Sequence, residues 1–412
     1  MTDAGDLDVA AMGSRPDWSL WRHLMRRSNR SPAGIETGLW AMDVLEKALG
    51  SDWPGRVRRR EGTVPPEVAW SSAHAAAFAE LVELALRLKL LENVPGIARV
   101  RQDLRRNLEG HRRLHAGVQL EVASLAMMAG YKVTLETPAT DRKMPVDVIF
   151  GAGQSALAVE AKVITLDDLS RAGMAFADEV TTHLNRIQMA HDVAFDGELN
   201  SKLSPAELAE WAAILTATAA QVAAEDKEQT VIHPSGTIRL IPGRKADGAT
   251  FRGPAQTSSG WPRIATVLQT KARQGVRSGA SWLRVDVRDG LWQFSSFARS
   301  DLPNKLTALA DAVQQELQSI MGLDGVVVTS GACLTQGVFK AETCRQPGGR
   351  IALRRLIEPV RVRECVVLPL TPESQLEAEE WARLYDDEPE WTDRALAECG
   401  LPAATNVFAW KP

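Results

Sequence analysis

Met144-Pro-Val-Asp-Val-Ile-Phe150, a short glycine-bearing link, and Ala156-Leu-Ala-Val-Glu-Ala-Lys-Val163 decide the fold. Both runs are apolar and short, as strands are, yet they carry Asp147, Glu160 and Lys162. An unpaired charge in a buried strand costs several kcal/mol, roughly, so these three need partners or a bound ion. Side chains alternate along a strand. Glu160 and Lys162 therefore share one face, while Leu157, Val159, Ala161 and Val163 take the other. A hairpin through Gly151–Ser155 sets Asp147 beside Glu160. Two carboxylates and an ammonium at one point make a small divalent-cation site next to a water, which is equipment for hydrolysing a phosphodiester.

The flanking sequence extends the pattern. Residues 112–129 predict a helix with almost no polar face, ended by Gly130. Within it Gln119 and Glu121 stand about 200° apart around the axis, so one of them faces inward. Tyr131–Leu135 predicts a first strand, Val146–Phe150 a second and Leu157–Ile164 a third, with a polar turn at Asp141–Lys143. Leu166–His191 is polar, then helical.

This arrangement resembles the PD-(D/E)xK superfamily, the restriction-endonuclease-like nucleases, over roughly residues 110–195. The resemblance implies a helix acid at Glu121, the central acid at Asp147, and the Glu-x-Lys triplet at Glu160 and Lys162. Val146 stands between Pro145 and Asp147, where the family name places proline next to the acid. The implied activity is cation-dependent cleavage of nucleic acid, DNA ahead of RNA, in bacterial defence or DNA processing. Asp147, Glu160 and the Ala161 carbonyl would hold Mg²⁺ or Mn²⁺, and Glu121 would reach the same ion directly or through water. Lys162 would orient the attacking water. Arg186 and Gln188 fall on the helix after the triplet, where such nucleases often place polar helpers; a plain polar helix face is the preferred account of them.

Other chemistries find less support. Gly151-Ala-Gly-Gln-Ser-Ala156 fits the spacing of a dinucleotide fingerprint, but a strand follows it where that fingerprint needs a helix. There is no P-loop, no G-x-S-x-G and no H-E-x-x-H. His111 and His115 have helical metal spacing without a third ligand in view, so a surface or nucleic-acid-facing helix is preferred. The net charge of −4 gives no global basic field. A nucleic acid would need a local patch, and Arg56, Arg58, Arg59 and Arg60 form one; solvated surface explains them as readily. Cys333, Cys344, Cys365 and Cys399 are widely spaced, which suits thiols in a reducing compartment. The start of the chain is not a signal peptide, and no apolar run spans a bilayer. The expectation is a cytoplasmic protein, with a homodimer or a partner subunit open.

The expected fold is α/β. A helical, partly basic region covers 1–104, with a loosely structured or helical arm over 1–68. A nuclease-like core covers 105–200, a helix and hairpin connection 201–259, and a second α/β region 260–370. An acidic tail with one short helix, 371–412, wraps the surface. Two other functions stay in view: a nucleic-acid-binding module without turnover, and a subunit of a larger defence assembly.

Overall fold

The structure is a computed structural model. It describes residues 17–61, 64–106, 110–137, 145–151, 156–164, 176, 179–180, 182–184, 186–188, 190–243, 250–252, 260–287, 301–317, 320–330, 333–334, 340–357 and 361–411. The polar turn at 141–143, the glycine link at 152–155 and residues 166–175 of the 166–191 segment lie outside these.

The chain forms two compact units, one from residues 1–165 with 261–412 and one from residues 166–260. The first unit opens with helices α1 (Trp18–Arg26), α2 (Pro32–Leu49), α3 (Trp53–Glu61), α4 (Pro66–Ala69), α5 (Ala75–Leu90), α6 (Ile97–Arg106) and α7 (Gly110–Met128). Local chemistry sets their starts. The Asp17 side chain accepts the Ser19 N–H ahead of α1, and Ser31 caps α2 with Pro32 in its first turn. The arm expected to be loosely structured or helical is helical over most of its described residues, and it is packed. Trp18 and Trp53 are buried and stack at 6.1 Å between ring centroids, and Trp18 Nε1 donates to the Gly50 carbonyl. Burying two indoles this way is worth several kcal/mol, roughly, enough to order short helices.

Strands β1 (Lys132–Thr137), β2 (Val146–Gly151) and β3 (Leu157–Ile164) form an antiparallel meander. The sheet does not stop there. β8 (Trp282–Val287) lies parallel to β3, and β9 (Gly325–Thr329) parallel to β8. β13 (Arg361–Pro369), β12 (Arg350–Ile357) and β11 (Glu342–Gln346) continue it antiparallel, giving the order β1-β2-β3-β8-β9-β13-β12-β11. β10 (Cys333–Leu334) adds to β13 off this path. The protein is thus α/β, with a mixed sheet flanked by helices. The chain is also grouped differently from the sequence expectation: the strands of 260–370 extend the same sheet as β1–β3.

The second unit holds the four-stranded sheet β5-β6-β4-β7, made of β4 (Val193–Leu199), β5 (Gln229–His233), β6 (Gly236–Pro242) and β7 (Thr250–Arg252). Helix α8 (Pro205–Glu225) belongs to it and opens with a full capping box between Ser204 and Glu207. Trp211, Leu215, Phe195 and Leu240 are in its core. The unit is inserted in the chain between β3 and helix α9 (Gly260–Ser278), which leads into β8.

Helix α10 (Leu302–Leu317) precedes β9. The segment expected to be a surface tail forms α11 (Gln375–Asp386), α12 (Glu388–Glu398) and α13 (Ala404–Val407). Ala378, Trp381, Ala382 and Tyr385 recur at helical spacing and are buried. Trp381 meets Phe150 of β2 edge-on at 5.3 Å, so the acidic segment is part of the main core. Most of its acids, Glu388 apart, lie toward the outward faces, which is what made it read as solvated.

Candidate functional site

The pairing of β2 and β3 is recorded as far as Val148↔Val159. One step further along this register sets Asp147 opposite Glu160, on one face of the sheet. The strands part at this point. The Asp147 carboxylate, rather than a backbone carbonyl, takes the Ala161 N–H, with Oδ2 at 2.7 Å. A side chain thus closes the gap in the ladder, and both Asp147 and Glu160 are buried.

Helix α7 supplies two more groups. His115 and Gln119 are four residues apart and lie on one face. His115 Nε2 stands 3.2 Å from Asp147 Oδ2 and 3.1 Å from the Ala161 carbonyl oxygen. Gln119 Nε2 donates to Asp147 Oδ1 at 2.9 Å and to Glu136 Oε1 at 2.7 Å. Glu136, next to last in β1, has a left-handed backbone, φ 47°, and Arg99 Nε of α6 lies 3.2 Å from its other oxygen. From the opposite side α9 closes in. A Cβ added at Gly275 would come within 3.2 Å of the Glu160 Cβ, and Lys271 Nζ lies 3.9 Å from Glu160 Oε1. Lys162 follows Glu160 on its face of β3 by strand alternation and is half-buried.

Two of the carboxyls are pushed toward their neutral forms, and the imidazole toward its charged form. Burial, then the Asp147 charge, push the Glu160 carboxyl up to about 8, with Lys271 and His115 opposing. Burial alone would lower the His115 pKa, but the hydrogen bond and charge of Asp147, helped by Glu160, raise it above its ordinary value. Burial also raises the Glu136 carboxyl, with Asp147 adding to it against Gln119 and Arg99.

These donors suit a hard divalent cation. Asp147 Oδ2 and the Ala161 carbonyl oxygen share one neighbour, His115 Nε2, at 3.2 and 3.1 Å respectively. Bonds near 2.1 Å in an octahedral site set adjacent donors about 3 Å apart. Glu160 could join once it loses its proton. Among the described residues, however, no group of three or more His, Cys, Asp or Glu side chains is gathered closely enough to hold a metal ion.

The sequence expectation for Glu121 is corrected. Its carboxylate is buried with Arg284 Nη2 at 2.6 Å, Arg363 Nη1 at 2.9 Å and Arg87 Nη2 at 3.9 Å. Burial would raise its pKa, but Arg363, Arg284 and Arg87 hold it below the ordinary range. Gln119 and Glu121 both face inward, toward different partners, and it is Gln119 that meets Asp147. His115 was the residue that sequence reasoning set aside; its i,i+4 relation to Gln119 was the available signal. The side chain of His111 lies outside the described residues.

Of the arginines expected to bind nucleic acid, Arg56 pairs with Asp52 at 3.2 Å, Arg58 is half-buried, and Arg59 and Arg60 are exposed. Arg186 is exposed and Gln188 half-buried, both in the second unit. Cys344, Cys365 and Cys399 are free thiols. Among the described residues no helix is long and apolar enough to cross a membrane. Comparison with known proteins finds no matching family model, no matching curated protein and no matching solved structure.

Proposed function

We propose that the protein is a divalent-cation-dependent nuclease acting on DNA, with a restriction-endonuclease-like core. One observation carries the reading: Asp147 takes the Ala161 N–H at the point where β2 and β3 part, directly beside a Glu160 that burial and Asp147 keep protonated. The succession α7-β1-β2-β3, then α9 and the parallel strand β8, supports the core assignment. Asp147, Glu160, the Ala161 carbonyl and His115 would hold Mg²⁺ or Mn²⁺, with His115 standing where Glu121 was expected. Bound there, the cation would offset the negative charge that develops on the phosphate. Gln119 fixes the Asp147 carboxylate through Oδ1 and leaves Oδ2 for binding. Lys162 orients the attacking water and faces the phosphate. Lys271 moderates the Glu160 proton.

A second reading, a nucleic-acid-binding module without turnover, draws on the absence of a preassembled three-side-chain metal group among the described residues. Cleavage of labelled duplex DNA, single-stranded DNA and RNA decides between them. The nuclease reading expects cutting with Mg²⁺ or Mn²⁺, none with EDTA, and none by Asp147→Ala. Wild type that leaves all three substrates intact, or Asp147→Ala that cuts as fast as wild type, overturns it.

A further inference from the structure

Besides α9, which has four cations and no acid, two neighbouring helices are strongly basic. Arg56, Arg58, Arg59 and Arg60 against Glu61 give α3 a net +3, and Arg99, Arg101, Arg105 and Arg106 against Asp103 give α6 a net +3, while the whole chain carries −4. The helices touch: Trp53 Nε1 of α3 donates to the Leu104 carbonyl in the last turn of α6, at 3.0 Å. α6 is also fixed to the sheet beside the candidate site. Gly96, just before it, lies so close to β1 that an added Cβ would fall 1.7 Å from the Leu135 carbonyl oxygen. The Leu135 N–H in turn donates to the Pro95 carbonyl.

Not every arginine of α6 is available. Arg101 donates to the Leu88 carbonyl and Arg105 to the Ala48 carbonyl, so these two tie helices together. Arg99, Gln102 and Arg106 recur at helical spacing, form one stripe, and are exposed; the half-buried Asp103 is the one acid on that face and leaves it net positive. Arg99 begins the stripe at the site, where its Nε meets Glu136, which shares the Gln119 amide with Asp147. Arg106 ends it about 10 Å away, some three base-pair rises along a strand, next to α3. A basic stripe that starts at a hydrolytic centre and leads away from it is complementary to a linear polyanion.

We infer that the Arg99–Gln102–Arg106 face of α6, continued onto α3, is the track on which the sugar–phosphate backbone of a DNA strand lies as it leaves the Asp147 site. The identity of the polyanion rests on the nuclease reading; the surface does not. Arg99 has a second consequence. A phosphate that draws it from Glu136 alters the partner of the amide that positions Asp147, so occupancy of the track reaches the site through Glu136 and Gln119.

The test is anisotropy of a labelled DNA duplex with the full-length protein in EDTA, between about 50 and 200 mM salt. The Arg99→Ala/Arg106→Ala variant is expected to bind about tenfold more weakly at mid-range salt, with the slope of log K against log salt reduced by about 2. Arg106→Ala alone, which leaves the Glu136 pair intact, is expected to lose about half of each effect. Arg345→Ala/Arg350→Ala, on β11 and β12, removes the same charge elsewhere and is expected to change neither. Wild-type affinity and slope in the α6 variants, an equal loss in the control, or no binding by wild type overturns the proposal. Cleavage with Mn²⁺, measured separately, keeps the two readings apart. Wild type that binds through the stripe and cuts nothing removes the nuclease and leaves the track. Wild type that cuts while binding ignores the stripe removes only the track.

Discussion

His115 Nε2 lies 3.2 Å from Asp147 Oδ2 and reaches the Ala161 carbonyl oxygen at 3.1 Å, so a single ring nitrogen serves two of the groups expected to hold a cation. The hydrogen bond and charge of Asp147 raise its pKa against the effect of burial, so the imidazole keeps its proton to higher pH than a free histidine does. Under the proposed function the same nitrogen, once neutral, would be a donor to the ion.

His115→Ala is therefore expected to weaken Mn²⁺ binding by about tenfold to a hundredfold, the usual effect of removing a ligand or its immediate support. Cleavage should fall at least as far, while the fold holds, because His115 is only half-buried and packs at the edge of the core. Titration calorimetry with Mn²⁺ checks it. Unchanged affinity together with unchanged cutting would remove His115 from the site.

Proton linkage gives a second expectation. The folded Glu160 carboxyl releases its proton near pH 8, against 4.5 ordinarily. The folded protein thus holds a proton across that range which the unfolded chain has already lost, and this contribution to stability declines as pH rises from about 4.5 to 8. His115, also raised, has the same sign: its contribution is complete below about 6.5 and is lost as pH rises through the folded value. Tm of the metal-free protein should fall between about pH 5 and 8. Mn²⁺ should restore it most at the upper end, because the ion takes the deprotonated forms. Glu160→Gln should flatten both trends. A Tm that rises with pH in wild type, with the same course in Glu160→Gln, would sink the assignment.

The two lysines near Glu160 should separate by experiment. Lys162→Ala is expected to abolish cutting and keep Mn²⁺ affinity, since it acts on water and phosphate. Lys271 lies 3.9 Å from Glu160 and lowers its pKa. Lys271→Met should therefore shift the pH dependence of Mn²⁺ binding to higher pH with little change in its plateau. If Lys162→Ala loses metal and activity together, its assigned role is wrong.

The meander was legible because its signals are local. Alternation over Leu157–Ile164 and the break after Phe150 are both contained in about twenty residues, and the structure pairs β2 with β3 antiparallel. Gln119 and Glu121 were legible only as a pair that could not share a face. Choosing between them needed Arg284 and Arg363, which lie 163 and 242 residues away from Glu121 and carry no local trace of its partner. The same distance hid the single sheet. Residues 166–260 separate β3 from the strand that lies parallel to it, so the later strands read as a region of their own. The 371–412 segment misled through composition: its acids are frequent, but Trp381, Tyr385 and Trp391 fall on the inward faces.

Glu121 supplies the sharpest separation of structure from catalysis. Its carboxylate faces Arg284 and Arg363, both buried, and Arg284 in turn holds Asp286 at 3.1 Å and donates to the Tyr385 hydroxyl at 2.9 Å. Arg363 continues the network to Glu388 at 3.0 Å. Removing one charge from such a cluster leaves the opposite charges buried without compensation, which costs about 3–5 kcal/mol. Glu121→Gln keeps the shape and removes the charge. It is expected to lower stability by about that amount in urea or thermal unfolding, with the Mn²⁺ affinity of the folded fraction unchanged. A metal ligand would give the reverse pattern: stability near wild type or better, and Mn²⁺ affinity lost. Double variants distinguish the two further. Glu121→Gln with Arg363→Met should recover part of the stability, because the unpaired guanidinium is gone, whereas a lost ligand would not be rescued by a change of this kind.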